Sequence, residues 1–331
     1  MRRRSRVGAV VIRLPSKGMA RYLASRLAGM VIVMLLVAVL VFLITRLAPG
    51  DPAAVMLGEQ ATAADIAQLR ASYGLDKPLP VQFAYWLGEL ARGNLGQSIF
   101  LQRPVTQALM ERAEPTFFLT LFSMIIAMLI GVPCGIVAAV WRNGAADQAF
   151  SGFAMLGASI PSFWFGLILM QIFAVGLGWF PVAGYGDPGV PLSDRLHHLV
   201  LPAIVLGVVN SALILRFTRA SMLDVLGEDH IRTARAKGVS ERRVVLHHAL
   251  RNALIPVVTV IGLTFALLVG GAIVTETVFG LPGIGNLVVS AVLRRDYPVI
   301  QGALLVIAAL YVLINLLIDL LYLAIDPRVK Y

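Results

Sequence analysis

Six long stretches of this chain contain no Asp, Glu, Lys or Arg, and this feature limits the possible folds more than any other. A bilayer hydrocarbon core about 30 Å thick needs about 20 apolar residues per helix. Inside it only helices or closed barrels satisfy the backbone polar groups, and barrel strands would alternate strictly in polarity. The chain is therefore predicted to be an all-α integral membrane protein with about six transmembrane helices. The stretches are Leu27–Thr45, Pro115–Trp141, Gln148–Gly186, Leu196–Leu215, Asn252–Thr275 and Pro298–Ile318.

The net charge of +10 reflects membrane topology and does not indicate a nucleic-acid partner. Of the 28 Lys and Arg residues, eight precede the first apolar stretch and eight more lie in Arg216–Arg251. Arg142, Arg328 and Lys330 fall on the same predicted side. Basic residues accumulate in cytoplasmic segments, so both termini are predicted to be cytoplasmic.

The charge pattern also predicts how the chain is divided. The first 18 residues add charge without recognisable structure, which leaves both Met1 and Met19 open as the native start. The predicted divisions are a basic cytoplasmic N-terminus (1–26), a first transmembrane helix (27–47), an extracytoplasmic helical segment (48–114), and a core of five transmembrane helices (115–331) that includes a cytoplasmic loop (217–251).

The extracytoplasmic segment carries signals of ordered helices. Thr62 and Asp65 have capping-box spacing, which predicts a helix start. Phe83 and Trp86 belong to an apolar face that follows a pair of prolines. A third, partly amphipathic helix is expected over Arg103–Glu114, leading into the second span.

Three features of the spans bear on their shape. Gly131 and Gly135 are four residues apart, a spacing that allows close helix approach but is frequent by chance in apolar sequence. Pro161 lies within the third span. Between the fifth and sixth spans, the glycine-rich segment 280–285 predicts a tight re-entrant turn or a short outer helix, and it lacks the order of a nucleotide-binding loop.

The cytoplasmic segment Arg216–Arg251 is polar and rich in helix-forming residues, with glycine only at Gly227 and Gly238. This pattern predicts one short helix near Glu228–Lys237 and another near Glu241–Asn252. Because a flexible linker would contain more Gly, Ser and Pro, the segment is expected to form a shaped protrusion that a partner grips.

No motif indicates that the chain is an enzyme. No catalytic, cofactor-binding or metal-binding residues are predicted, and none of the lysines belongs to a phosphate-binding loop. Asp319 is the one acid inside a predicted span, close enough to the inner end to reach the interface or to pair with Asn315. A secondary transporter uses ionisable groups at mid-membrane, so energy for transport is expected to come from another chain. The lysines are Lys17, Lys77, Lys237 and Lys330.

At the cytoplasmic segment the sequence resembles the permeases of the dipeptide/oligopeptide/nickel ABC-importer family. Their coupling loop, called the EAA loop, has the form E-A-A-x-x-x-G-x9-I-x-L-P. Here Gly238 and Leu250 keep their places, His248 replaces Ile, and the terminal Pro is absent. The variant at the start of the motif is typical of the peptide branch. It consists of Arg232, Thr233, Ala234, Arg235, Ala236, Lys237 and Gly238.

The resemblance extends over nearly the whole chain from Met19, and Gly135–Trp141 is also similar to glutathione-importer permeases. Further matching motifs are Pro49-Gly50-Asp51-Pro52, Tyr73-Gly74-Leu75-Asp76, Arg216-Phe217-Thr218-Arg219, Glu276-Thr277-Val278-Phe279, Arg295-Asp296-Tyr297-Pro298 and Asp326-Pro327-Arg328.

This resemblance implies a permease subunit, in the bacterial inner membrane, of an ATP-driven importer of di- or oligopeptides. It implies four kinds of partner besides the lipid bilayer: a second homologous permease, two ATP-binding subunits and an extracytoplasmic substrate-binding protein. The seven residues 232–238 are then expected to couple the permease to the ATPase. The permease itself is expected to bind no cofactor. The open alternatives are the same machine importing glutathione or nickel, and a self-sufficient secondary transporter.

Overall fold

The structure is a computed structural model, and it describes residues 17–47, 54, 62–72, 74, 76–186 and 189–325. The predicted motifs at 49–52 and 326–328, and residues 73 and 75, lie outside these ranges. The described residues form helices and connecting turns, with one isolated bridge between Gln97 and Pro104, which confirms the all-α prediction. In chain order the helices are α1 (Lys17–Leu47), α2 (Ala63–Ser72), α3 (Leu79–Ala91), α4 (Val105–Val140), α5 (Ala145–Ser159), α6 (Ser162–Gly176), α7 (Leu192–Leu226), α8 (Asp229–Ala236), α9 (Glu241–Val278), α10 (Ile284–Leu293) and α11 (Tyr297–Ile325).

Five of the described helices, α1, α4, α7, α9 and α11, are long and apolar enough to cross a bilayer. The third predicted span is instead the pair α5 and α6, bent by 102°. The bend lies at Ile160, which is extended because the following Pro161 disfavours helical geometry in the residue before it.

The packing of α4 against α7 shows that the bent pair crosses as one broken span. Gly131 of α4 lies against Ile214 of α7, and further along both helices Gly135 lies against Thr218. The two helices are therefore parallel. A chain that leaves α4 on one side of the membrane must cross once before it starts α7, so α5 and α6 make that crossing and the total is six.

The same contacts are sterically tight. A Cβ atom at Gly131 would lie 2.7 Å from Ile214 Cβ, and one at Gly135 would lie 2.6 Å from Thr218 Cβ. On the other helix, a Cβ at Gly207 would lie 2.6 Å from Ile126 Cβ. The prediction of close approach at the glycine pair is confirmed, with a third glycine on the partner helix.

The first and last spans, α1 and α11, are antiparallel. Gln301 donates a hydrogen bond to Thr45 Oγ1 (2.6 Å) near one end, and Arg26 Nη2 lies 3.1 Å from Asp319 Oδ1 near the other. Arg26, not Asn315, is thus the partner of Asp319, and Asn315 donates to the carbonyl of Tyr311 in its own helix. Arg26 lies on the neighbouring helix, and the distance between two residues along the sequence does not predict such a contact.

The segment between α1 and α4 is helical over much of its described part. Thr62 Oγ1 accepts from the N–H of Asp65 (3.2 Å), and Asp65 Oδ2 accepts from the N–H of Thr62 (3.1 Å), so the capping box forms. Phe83 and Trp86 of α3 pack on Phe42 of α1, with ring centroids 5.3 and 5.7 Å away. The helix predicted over Arg103–Glu114 is not separate, because it continues through Pro115 as the first turns of α4.

Candidate functional site

The helix α8 lies between α7 and α9, in the segment that the sequence predicts to be gripped by a partner. It ends at Ala236 and is followed by a turn at Gly238, whose φ of +74° is left-handed and whose N–H donates to the carbonyl of Arg235 (2.9 Å). Glycine adopts this conformation without the cost of a Cβ. The N–H of Val239 closes the turn on the carbonyl of Ala234 (3.2 Å). The turn sends the chain directly into α9.

One side chain anchors α8 to the membrane-spanning core. Ile231 is fully buried in an apolar cluster built from the ends of three spans. Since α4 and α7 end in this cluster while α9 starts there, a force on α8 reaches all three helices. The buried residues of the cluster besides Ile231 are Ala139, Met222, Val225, Val244, Val245, Ala249 and Ala253.

The rest of α8 faces outward. Six of the seven predicted coupling residues, Arg232, Thr233, Arg235, Ala236, Lys237 and Gly238, are exposed. Ala234 is half-buried against the Ile231 cluster and so takes part in internal packing. Of the two alanines in the motif, Ala236 is therefore the exposed one.

The exposed face is basic, and its ion pairs are at the surface. Arg235 forms a two-point contact with Glu241, Nε to Oε2 at 3.0 Å and Nη2 to Oε1 at 2.6 Å. Hydrogen bonding to Glu241 raises the pKa of the Arg235 guanidinium above its usual value. Arg232 lies 3.5 Å from Asp229, and its side chain is 75% exposed. Within the described ranges, Lys237 forms no ion pair. These cations are accessible to acidic groups of another protein.

The second helix predicted in this segment, near Glu241–Asn252, is not a separate element. It is the first part of α9, which runs unbroken from Glu241 to Val278 and includes a π-helical stretch over Val244–Ala249. Glycine is absent between Ser240 and Asn252, and Pro256 lies inside the helix without ending it. A displacement of α8 would therefore act directly on a transmembrane helix.

A buried ion pair near this face was not predicted. Asp147 is 4% exposed and accepts two hydrogen bonds from Arg219, at 2.6 and 2.8 Å, and one from the N–H of Asn143 at 2.9 Å. The pair joins the start of α5 to α7. Two features of the sequence could have indicated this pair. Arg219 belongs to a motif that resembles the family's, and Asp147 is the single acid in the short segment 142–148.

A second buried acid, Glu276, lies at the opposite end of α9 and just beyond the predicted span. The loop after it forms a turn followed by α10, so of the two predicted forms, a re-entrant turn or a short helix, the short helix is present. Among the described helices, then, the spans contain more ionisable groups than the sequence suggested. Both acids have hydrogen-bond partners inside the chain.

Similarity to known proteins agrees with this architecture. Residues 131–331 match the family described as the binding-protein-dependent transport system inner membrane component, and residues 19–120 match the family of its N-terminal part. The chain belongs to this family. It is thus a multi-pass permease component of the inner membrane.

Two curated relatives match over nearly their whole length. A probable peptide ABC transporter permease of Sinorhizobium fredii is 48% identical over 95% of this chain and 100% of that protein. A glutathione transport system permease of Pectobacterium atrosepticum is 50% identical over the same shares. A solved structure of the MetNI methionine ABC transporter has a TM-score of 0.57 at 21% identity, over 66% of this chain and 97% of that one. This last likeness supports the fold alone.

Proposed function

We propose that this chain is the transmembrane permease subunit of an ATP-driven importer of di- and oligopeptides. It forms half of the translocation pathway beside a second homologous permease. Two ATP-binding subunits bind its cytoplasmic face, and an extracytoplasmic binding protein delivers the substrate. Both termini lie in the cytoplasm, on the same side as α8.

The observation that carries this proposal is the construction of α8. The helix has a single buried anchor, Ile231, and a basic face that no other described element covers. Such a helix adds little to the core, so its exposed residues are best explained by a partner. When the ATPase subunits close on ATP, they would displace α8 and tilt the α4, α7 and α9 ends that surround Ile231. ATP binding can shift the permease between its two conformations only if the ATPase subunits contact those two conformations differently.

The energy for transport must come from that partner, because the sequence contains no phosphate-binding loop. The two buried acids of the spans do not favour a secondary transporter. Asp147 is held by Arg219, and Glu276 by a threonine hydroxyl and backbone N–H groups. A coupling ion would have to displace those partners first.

Peptide import is preferred for the substrate because the motif at residues 232–238 has the form associated with the peptide branch. The relative described as a probable peptide permease supports this choice. Glutathione, itself a short peptide, is the second candidate because the glutathione permease is equally similar. Identifying the ligand that co-purifies with the cognate binding protein separates the two.

The coupling role is tested with Ala236→Glu in proteoliposomes that contain the assembled importer. Ala236 is exposed, so the protein should fold normally, while the new acid would be buried unpaired in the ATPase contact. We expect ATP-driven peptide uptake to fall about tenfold or more, a loss of about 1.4 kcal/mol in that contact. Unchanged uptake contradicts the proposal.

Ala145→Glu is the matched control. Ala145 is exposed at the start of α5, on the same face of the molecule as α8 but outside it. The substitution adds the same charge to the same side of the membrane. Uptake by this variant should equal that of the unsubstituted protein, and an equal loss in both variants would point to general charge effects at this face.

A further inference from the structure

The carboxylate of Glu276 is completely enclosed at the outer end of α9. The residue has no exposed surface. Its Oε1 accepts a hydrogen bond from Thr116 Oγ1 at 2.6 Å, and its Oε2 accepts one from the N–H of Asn286 at 2.9 Å. The backbone carbonyl of Glu276 also accepts from the N–H of Leu281 at 2.8 Å. The acid is therefore satisfied without water.

Thr116 makes this contact a junction of three helices. Its hydroxyl donates to Glu276 and at the same time accepts from the N–H of Ile284 at 2.9 Å. Thr116 belongs to α4, Glu276 to α9 and Ile284 to the first turn of α10. The first N–H groups of a helix have no partner within that helix, and here a side chain from each neighbouring span supplies one.

Two glycines allow the loop to close over the acid. A Cβ at Gly283 would overlap the carboxylate of Glu276, and one at Gly285 would lie 2.6 Å from the Cα of Ile273. The proposed coupling role does not explain the glycine-rich segment 280–285. Its glycines leave the space that α9 and the Glu276 carboxylate occupy. A side chain at Gly285 would push α10 away from the backbone of α9, and one at Gly283 would displace the carboxylate of Glu276 from its position.

We propose that Glu276, Thr116 and the N–H groups of Ile284 and Asn286 form an outer latch that holds the outward side of the pathway closed. This proposal rests on the proposed function, since a permease of that kind must open outward to receive its substrate. Glu276 acts in it as a positioning residue. The apolar face of α10 packs on α4 and α11 through Leu287 and Ala291.

The latch makes outward opening all-or-none. A buried carboxylate that loses its donors before water reaches it pays the full cost of desolvation. Partial separation of α10 from α9 is therefore unfavourable, and the stable states are the fully closed one and one in which Glu276 is hydrated. This is the two-state behaviour that alternating access needs.

The test measures the reaction of a single cysteine with a membrane-impermeant maleimide added from the outer side. The sole native cysteine is replaced (Cys134→Ala), and Ala291→Cys places a reporter on the buried face of α10, where the native residue is 4% exposed. In this background Thr116→Val removes the bridging hydroxyl while keeping the side-chain shape. We expect labelling to become about tenfold faster, the effect of losing hydrogen bonds to a buried charged group.

Thr120→Val is the matched control, one turn away on α4. Thr120 is buried whereas Thr116 is half-buried, and among the described residues the Thr120 hydroxyl donates to the carbonyl of Thr116 in its own helix (2.8 Å) and to no other helix. Labelling should stay at the background rate. Equal rates in the Thr116 and Thr120 variants overturn the latch.

A second pair of variants covers the case in which Thr116→Val does not fold. Gly283→Ala should also accelerate labelling, because its Cβ would displace the carboxylate of Glu276 from its hydrogen-bond donors, whereas Gly270→Ala should not, because nothing lies within 4 Å of that position. Slow labelling of Gly283→Ala overturns the proposal. The labelling assay needs neither ATP nor substrate, so it can be interpreted even if ATP-driven uptake fails. If uptake is ATP-driven but the variants label at the background rate, the latch is wrong and the proposed function stands.

Discussion

The crossing of α4 with α7 and the short helix α8 are constructed in opposite ways. At the crossing, Gly131 and Gly135 bring the two helices so close that a single added methyl group has no room. In α8 only Ile231 is fully buried, and most of the surface is open. The crossing is explained entirely by contacts within the chain, whereas α8 is not. Substitutions at the crossing should therefore act through folding, and those on the exposed face of α8 should act through a partner.

The largest effect is expected at the crossing itself. Gly135→Ala would place a Cβ 2.8 Å from the backbone oxygen of Leu215, which cannot move without shifting α7. Overpacking of this kind costs about 3 kcal/mol. The thermal unfolding midpoint of the detergent-purified protein should drop sharply. Gly270→Ala, a substitution into open space, should leave the midpoint unchanged or slightly raised because alanine favours helix by up to about 1 kcal/mol. Equal midpoints for the two variants would show that the crossing is looser than described.

An intermediate effect is expected at the anchor of α8. Ile231→Ala removes a fully buried side chain and should weaken the docking of α8 by about 2 kcal/mol, while the spans remain folded. Amide hydrogen exchange over residues 229–236 should become faster, and exchange within α4 and α7 should not. Arg232→Ala changes the neighbouring exposed position and serves as the control. If it accelerates exchange as much as Ile231→Ala does, the anchor has been assigned to the wrong side chain.

The smallest effect is expected at the surface ion pair. Glu241→Gln removes the charge that faces Arg235, but both side chains are more than 40% exposed. Exposed pairs are worth about 0.5 kcal/mol, and salt screens them. Hydrogen exchange of α8 should therefore change little, and less still at high ionic strength. A change as large as that of Ile231→Ala would mean that this pair, and not apolar burial, holds α8 in place.

Local signals in the sequence predicted local structure well. Thr62 and Asp65 are three residues apart, and their capping box formed as expected. Gly238 marked a left-handed turn because few other residues adopt that conformation. The apolar stretches located five spans and the broken sixth. The helix expected over Arg103–Glu114 did not form a separate element, since α4 continues through Pro115.

Contacts between residues distant in sequence could not be predicted from local patterns. Arg219 lies 72 residues from Asp147, and Thr116 lies 160 residues from Glu276. Arg219 and Glu276 belong to motifs that the sequence analysis singled out, but the spacing of those motifs did not predict which residues they would contact. The coupling role of residues 232–238 remains a prediction, although the exposure of six of these seven residues is what that role requires.

The sequence by itself determined that the chain is a helical membrane protein with about six spans, because within a bilayer an apolar stretch of about 20 residues satisfies its backbone polar groups as a helix. It also predicted a short polar helix around residues 228–237, and that helix is exposed in the structure. Only the tertiary structure decided that α4 and α7 are parallel, that a bent pair of helices crosses between them, and that one buried carboxylate joins α4, α9 and α10. Those features depend on which surfaces pack together, and helix periodicity alone does not specify that.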